Sequence, residues 1–417
     1  MEGQNLILVT IDSLRADKTS ATKGASYTPN LDRIAESGVL YENATAPGPS
    51  TYESMPSIWT GELMPEINVK GTTALDRMAK RKESHMNSYT FPERLRDLGY
   101  ETAAFTANPH TSRHSNFDRG FQDFEDYLGD GIHPFWEWAG KKPILSKIKH
   151  LVTTISRDRV ARPWTSYTDD IKGWLETASS PFFLWIFILE PHTPYLPRPQ
   201  NRRTSWGKMI WNNIRYWSDP DGVFPPDPQE LMGLYEDAVI DADEFIGWLY
   251  QHMPEETSVI VHSDHGEGFG KLDHGQWGHK GELYDENIHV PLVVNDFNTT
   301  GKISEPVSLT SIFDILIDLA RGEYRPKDYG QEYTISRTFR PNKIGIRSEE
   351  LSFCATLSGG NITDEKLLEC DGNREKEVEN EDIYEKMHDL LRYRQSHEQE
   401  LRLLRSSCST VSNNLEI

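Results

Sequence analysis

The chain has 417 residues, with 44 Lys and Arg against 65 Asp and Glu, for a net charge of −21 at pH 7. Such a balance argues against a nucleic-acid partner, because backbone phosphates are bound by a surplus of cations that is missing here. Apolar residues make up 36% and aromatic residues 11%, enough for a large core and too many for a disordered polymer.

Met1-Glu2-Gly3-Gln4-Asn5 lacks the basic segment of a signal peptide and runs directly into Leu6-Ile7-Leu8-Val9, which reads as a strand. No stretch approaches the roughly 20 apolar residues of a membrane span, so the expectation is a cytoplasmic protein without a transmembrane segment. The strand, Leu6 to Ile11, ends in Asp12-Ser13-Leu14-Arg15. A carboxylate at the C-terminal end of a first parallel strand faces the crevice where ligands collect in open α/β sheets, although an N-cap is the commoner fate of such an Asp.

A short helix opens at Thr28-Pro29-Asn30 and runs to about Ser37, followed by a strand near Val39 to Tyr41. Ala46-Pro47-Gly48-Pro49-Ser50-Thr51 then leads into an apolar helical segment that reaches Thr60-Gly61. Hydroxyls at a helix N-terminus sit where free N–H groups and the dipole attract anions, and one of them becomes a nucleophile if a metal lies beside it. A plain Ser/Thr cap is the simpler reading of that stretch alone. Phe91 to Tyr100 is an amphipathic helix closed by Gly99, Thr102 to Phe105 is a strand, and its exit carries Asn108, Pro109 and His110.

From about Gly129 to Ser180 the pattern loosens, with Trp136, Trp138, Trp164 and Trp174 among Lys141, Lys142, Lys147, Lys149, Arg157, Arg159 and Arg162. This mixture reads either as a lid over an anionic, amphiphilic or sugar-bearing substrate, or as an inserted segment with Trp core residues and snorkelling cations. Phe182 to Leu189 is a continuous apolar run, hence a central strand, and Pro191 and Pro194 stop it around His192. Residues 198–230 form a second irregular insertion, and a helix follows from about Leu234 to Gln251.

Val259-Ile260-Val261 is a further buried strand that turns polar abruptly at Ser263-Asp264-His265-Gly266. An adjacent carboxylate and imidazole at a strand end can reach one ion, and Gly266, Gly268 and Gly270 let the backbone turn away. His274, His279 and Lys280 follow in a stretch too poor in apolar periodicity for a core helix, which reads as the rest of a site for an anionic group or as a polar surface loop. After a helix around Ser311 to Ala320 come short strands near Lys343 to Arg347 and Leu351 to Leu357, an acidic turn-rich run from Asp364 to Asp382, and a polar helix from Ile383 to about Arg405. Alternating strands and helices predict an α/β fold, a large mixed and mostly parallel sheet sandwiched by helices over residues 1–325. Residues 326–417 are expected to form a small α+β appendage. Cys354, Cys370 and Cys408, an odd number far from the polar clusters, are expected to be structural or incidental thiols.

Four separated pieces resemble one family in order: Asn5 to Asp12, the segment ending Trp59-Thr60-Gly61, Glu190-Pro191-His192-Thr193-Pro194, and Ser263 to Glu267 continuing through Leu283-Tyr284 to His289-Val290-Pro291-Leu292. They look like the sulfatase-like branch of the alkaline phosphatase superfamily, and the resemblance covers roughly residues 4 to 322. It implies an alkaline phosphatase/sulfatase-like fold and a divalent metal bound by Asp12, Asp264 and His265 beside a nucleophile at a helix N-terminus. Counting back from Thr60-Gly61 places that nucleophile at Thr51, with Ser50 or Ser54 open if the loop is shifted. The Cys or Ser signature C/S-x-P-x-R is absent: Glu53 stands for its Pro and Met55 for its Arg, so conversion to formylglycine is not available. Ser13 replaces the usual second metal carboxylate, and Ala107, Asn108 and Pro109 replace the usual Lys and His after the Gly-Tyr strand. The Thr form resembles the phosphoethanolamine and phosphoglycerol transferases and the phosphodiesterases of the superfamily.

The resulting expectation is a metal-dependent hydrolase of sulfate or phosphate esters. Thr51 attacks, Lys280, His192 and His279 neutralise charge, and Asn108, His274 and Arg15 hold an anionic ester that is free, sugar-linked or lipid-linked. An imidazole ligand favours Mn²⁺ or Zn²⁺, with Ca²⁺ and Mg²⁺ also compatible. The alternatives are a phospho-group transferase of surface glycans or lipids, and a non-catalytic anion binder. Oligomeric state is not legible in the sequence.

Overall fold

Every residue of Leu6–Ile11 (β1), Phe182–Ile188 and Ser258–Ser263 is buried, as continuous apolar runs demand when both faces of a strand are covered. The computed structural model describes residues 3–19, 27–64, 88–127, 162–218, 220–279, 281–339, 341–358, 361–370, 375–378, 380–381 and 383–392. The main sheet has eight strands. Besides β1 they are Val39–Tyr41 (β2), Glu101–Thr106 (β3), Asp123–Glu125 (β4), Phe182–Ile188 (β5), Ser258–Ser263 (β6), Leu292–Asn295 (β7) and Gly301–Ile303 (β8). Their order is β8-β2-β7-β6-β1-β5-β3-β4, and only β7 runs against the rest. The expected α/β architecture, mixed and mostly parallel, is therefore present.

Alternation along β1 divides the core in two. Leu6 and Leu8 face a layer made by Thr51–Thr60 (α2), Phe91–Asp97 (α3) and Ile312–Arg321 (α7). Ile7, Val9 and Ile11 face the layer of Pro29–Ser37 (α1), Thr168–Leu175 (α4), Trp206–Ser218 (α5) and Pro228–His252 (α6). Trp59 of α2 packs 4.4 Å from the Trp185 ring of β5 and 4.4 Å from Phe91. Burial of this kind holds α2 under the sheet, and truncating Trp59 to Ala removes about 3–5 kcal/mol.

Neither insertion is irregular throughout. Residues 128–161, with Trp136, Trp138, Lys141, Lys142, Lys147, Lys149, Arg157 and Arg159, lie outside the described residues. Beyond them α4 is helical, and Trp164 is a core residue whose indole donates to Asp241 O at 2.9 Å under the Arg198 guanidinium. The segment read as the second insertion contains α5, a 13-residue helix. Its amphipathic signal is obscured because Trp206 and Trp211 are exposed rather than buried.

Residues past 330 form a second sheet, an antiparallel meander of Thr334–Phe339 (β9), Asn342–Arg347 (β10), Leu351–Ser358 (β11), Asn361–Cys370 (β12) and Glu375–Glu377 (β13). The acidic run from Asp364 is thus largely strand, not turns. β12 turns a mostly exposed face to water, so charged residues sit in it without breaking the ladder. Helical residues 383–392 cover the other side, with Leu391 packed on Phe353 and Leu367 in one cluster. Ion pairs Arg347–Asp285, at 2.8 Å, and Lys343–Glu282, at 2.6 Å, tie this sheet to the segment before β7, which includes the short helix Asp285–Ile288. Among the described residues no helix is long and apolar enough to cross a membrane.

Candidate active site

β1 and β6 are neighbours in parallel register, with Ile11 opposite Ser263, so the residues that follow them, Asp12 and Asp264, leave the sheet side by side. Two cross-links hold the exits together. Ser263 Oγ accepts from Leu14 N at 2.8 Å and donates to His265 O at 2.7 Å. Ser13 donates its backbone N–H to Asp264 Oδ1 at 3.3 Å and its hydroxyl to Asp12 Oδ1 at 3.1 Å, with its own backbone left-handed at φ 64°. Tyr235 of α6 braces the same turn, donating to Ser13 O and accepting from Arg15 N.

Asp12, Asp264 and His265 are fully buried, and one ligand atom from each lies within 4.8 Å of the others. The His265 Nδ1–H donates to Gly266 O at 2.8 Å, a contact that leaves the Nε2 lone pair facing Asp12 Oδ1 and Asp264 Oδ2, each at 3.5 Å. Two carboxylate oxygens facing that nitrogen are accommodated by a proton on it or by a cation between the three groups. Asp264 Oδ2 has no hydrogen-bond partner, and burial together with the Asp264 carboxylate pushes the Asp12 carboxyl well above its usual range. These residues fit a divalent cation, with a backbone carbonyl fixing the imidazole tautomer as it does in metal sites.

Thr51 is the first residue of α2, after Ser50 at the N-cap, and is almost completely buried. Its Oγ1 lies 3.2 Å from His265 Nε2 and accepts from Asn108 Nδ2 at 3.4 Å. Asn108, at the exit of β3, also donates to Asp12 Oδ2 at 2.7 Å, so one amide touches both the metal cluster and the hydroxyl. Ser54 Oγ is buried without a partner and Ser50 Oγ donates to Glu53 Oε2 at 3.0 Å. The positive end of the α2 dipole thus opens at the cluster.

The other residues expected at the site divide. His279 lies beside the cluster, its ring 4.4 Å from His265 and 5.2 Å from His192, and its Nδ1 is 3.2 Å from the buried Glu267 carboxylate. His192 donates Nδ1–H to Thr193 O at 2.6 Å, leaving Nε2 as its available nitrogen. Lys280 lies outside the described residues. Arg15 is turned into an internal brace, bonded to Asp17 at 2.7 Å, Asp273 at 2.9 Å and Glu267 O at 3.0 Å. His274 stacks on Tyr284 at 4.0 Å and bonds Glu286 at 3.0 Å, which raises its pKa.

A family model described as Sulfatase matches residues 4–322 of the chain. The chain belongs to the sulfatase family. Human iduronate 2-sulfatase is 23% identical over 398 aligned positions, covering 78% of this chain and 70% of that protein. In fold the chain is similar to a protein solved in complex with its substrate D-glucosamine-2-N,6-O-disulfate, with a TM-score of 0.67, 16% identity and coverage of 96% and 99% of the two chains. It is also similar to the phosphonate monoester hydrolase of Agrobacterium radiobacter, with a TM-score of 0.60, 17% identity and coverage of 88% and 89%.

Within the sulfatase family, residues read in the sequence only as departures have places in this structure. Ser13, standing where a second carboxylate was expected, bridges the two aspartates. Glu53, standing where a Pro was expected, is buried and accepts from Thr338 Oγ1 and Phe339 N, both at 2.9 Å. Ser263 was read only as part of a motif and Tyr235 gave no signal in the sequence, because a serine at a strand end and a tyrosine on a helix are ordinary there. Only their partners distinguish them.

Proposed function

We propose that this sulfatase-family protein is a metal-dependent hydrolase of sulfate or phosphate esters in which Thr51 Oγ1 is the nucleophile. The observation that carries the reading is the position of that oxygen, 3.2 Å from His265 Nε2 at the head of α2 and beside the Asp12, Asp264 and His265 cluster. Asp12, Asp264 and His265, with Thr51 Oγ1, are the groups that would hold the ion. A bound divalent ion lowers the pKa of a neighbouring hydroxyl and draws charge from an ester oxygen. The His-and-carboxylate donor set favours Mn²⁺ or Zn²⁺.

Asn108 orients the Thr51 oxygen and keeps Asp12 in place, while the end of α2 favours an anionic group. Thr51 Oγ1 releases its hydroxyl proton to solvent and forms a bond to sulfur or phosphorus as the bond to the ester oxygen breaks, and His192 or His279 supplies the proton that the departing alkoxide takes up. Water then displaces Thr51 and regenerates the hydroxyl. Relatives include a sulfatase and a phosphonate monoester hydrolase, so both sulfur and phosphorus esters are substrate classes for the test.

A second reading, transfer of the group to an acceptor alcohol, is favoured by one feature. Trp206, Trp211, Val223 and Phe224 are exposed on and after α5, whose Trp217 indole donates to Thr193 Oγ1 beside His192. Such a surface suits an acceptor with a lipid or other apolar portion.

The deciding experiment loads the purified protein in turn with Mn²⁺, Zn²⁺, Mg²⁺ and Ca²⁺ and offers aryl sulfate, aryl phosphate and aryl phosphodiester, beside Thr51→Ala. Turnover of one ester that vanishes in the variant is expected. Turnover surviving the substitution moves the nucleophile to Ser50 or Ser54, and silence despite bound metal favours a transferase with a dedicated donor or the non-catalytic binder.

A further inference from the structure

We infer that Glu53 is a positioning residue for Thr51, a buried carboxylate that clamps the N-terminus of α2 to the first strand of the C-terminal sheet. The inference rests on the reading of Thr51 as nucleophile and adds to it that the C-terminal sheet is a working part of the site.

Glu53 is two residues past Thr51, in the first turn of α2, and only 9% exposed. Burial raises the Glu53 pKa, and a carboxyl group held in such a place is tolerated only where donors replace the water. Three do: Thr338 Oγ1 and Phe339 N donate to Oε1, both at 2.9 Å, and Ser50 Oγ donates to Oε2 at 3.0 Å. Two of these donors come from β9 and the third from the residue that caps α2. The carboxylate therefore spans the gap between the nucleophile's helix and a different sheet.

The surrounding contacts run the same way. Ser336 Oγ donates to Ala46 O at 2.6 Å and Arg337 N donates to Pro47 O at 2.9 Å, so β9 lies along the whole segment leading into α2. Gly48 closes the fit: a Cβ there would come within 2.6 Å of the Glu53 Cβ and 3.1 Å of Arg337 O. Thr51 is thus fixed from one side by His265 and Asn108 and from the other by β9 through Glu53. A rigid helix start matters because in-line attack tolerates little displacement of the oxygen, about 1 Å of error costing up to a hundredfold in rate.

The test compares Glu53→Ala, Glu53→Gln and Thr338→Val in the full-length, metal-loaded protein on whichever ester the wild type turns over. In Glu53→Ala we expect kcat to fall about tenfold to a hundredfold with KM within twofold. Glu53→Gln restores most of the rate, because its amide oxygen still accepts from Thr338 and Phe339. Should Glu53→Ala fail to fold, Thr338→Val, which removes one donor from the far side of the clamp, carries the test with a smaller fall in kcat. A second readout needs no turnover: in protein with ¹³C-labelled threonine methyls, the Thr51 resonance, assigned by its loss in Thr51→Ser, shifts in Glu53→Ala and Thr338→Val and returns in Glu53→Gln. Silence of the wild type on every ester defeats the hydrolase reading while the methyl resonance still reports on the clamp. An unmoved resonance and kcat in folded variants overturn the inference. Equal losses in Glu53→Gln and Glu53→Ala overturn it as well, since the charge rather than the hydrogen-bonded geometry would then be what matters.

Discussion

Thr51 Oγ1 and His265 Nε2 lie 3.2 Å apart although 214 residues separate them in the chain. The contact joins the head of a helix under the sheet to the loop that leaves β6. It exists because α2 is pinned by Trp59 below the same strands that aim Asp12 and Asp264 upward. Several consequences can be measured.

Thr51→Ala is expected to lower kcat by roughly 10³-fold or more, the scale seen when a nucleophile is deleted. Thr51→Ser keeps a hydroxyl at the same atom and retains measurable turnover. Steady-state kinetics on the active ester checks both, and a fully active alanine variant would exclude Thr51 as the nucleophile.

The two buried aspartates set up a sign reversal between metal-free and metal-loaded protein. Burial and Asp264 raise the Asp12 pKa, so the native state binds that proton more readily than the unfolded chain does. Its contribution to stability then falls as pH rises from the ordinary carboxylate range through the raised value. Asp12→Asn should therefore raise the metal-free melting temperature at pH 8 and abolish the rise that Mn²⁺ or Zn²⁺ gives the wild type. That rise corresponds to about 2.7 kcal/mol at a hundredfold excess of metal over Kd. Thermal melts with and without chelator decide it, and a metal-free variant less stable than wild type would contradict the repulsion.

Asn108→Ala removes the amide shared by Asp12 and Thr51. Metal affinity should fall about 10–100-fold, the usual loss when a partner of a metal ligand is deleted. Calorimetric titration with Mn²⁺ provides the measurement. Unchanged affinity would reduce Asn108 to a contact of the hydroxyl alone.

His274 is raised by its hydrogen bond to Glu286, so its stabilisation is complete below the unfolded histidine pKa and is lost as pH rises through the folded one. His274→Ala should cost about 0.5–1 kcal/mol at pH 6 and less at pH 9. Urea unfolding at the two pH values tests this. A penalty that grows with pH has the wrong sign for the pair.

Arg347 and Asp285 bind the C-terminal sheet to the short helix before β7 through two parallel contacts of 2.8 and 3.0 Å. Burial opposes ionisation of Asp285, yet the Arg347 guanidinium holds its carboxyl below the usual range. Arg347→Ala leaves that carboxylate buried without its guanidinium and should cost about 3–5 kcal/mol. A loss under about 1 kcal/mol would mean that water reaches the pair.

The sequence by itself determined the layers and brought Asp12, Asp264 and His265 to one edge as a candidate metal site. Apolar runs at Leu6–Val9, Phe182–Ile188 and Val259–Val261 allow little but buried parallel strands, and a polar residue soon after such a run has nowhere to go but the sheet's C-terminal edge. The juxtaposition of Asp12, Asp264 and His265 was legible for that reason, and Thr51 only through the family resemblance. Tertiary structure decided what local pattern does not encode: which partner each polar side chain meets. Arg15 reads as a cation for substrate, yet Asp17 and Asp273 claim it. Glu53 reads as a missing signature residue, yet a strand almost 300 positions away supplies its donors, Thr338 and Phe339, at separations of 285 and 286 residues. β12 was hidden because a strand with one wet face carries the same charges as a loop. In each case the short-range pattern reports burial, while hydrogen-bond partners are chosen by packing between distant segments.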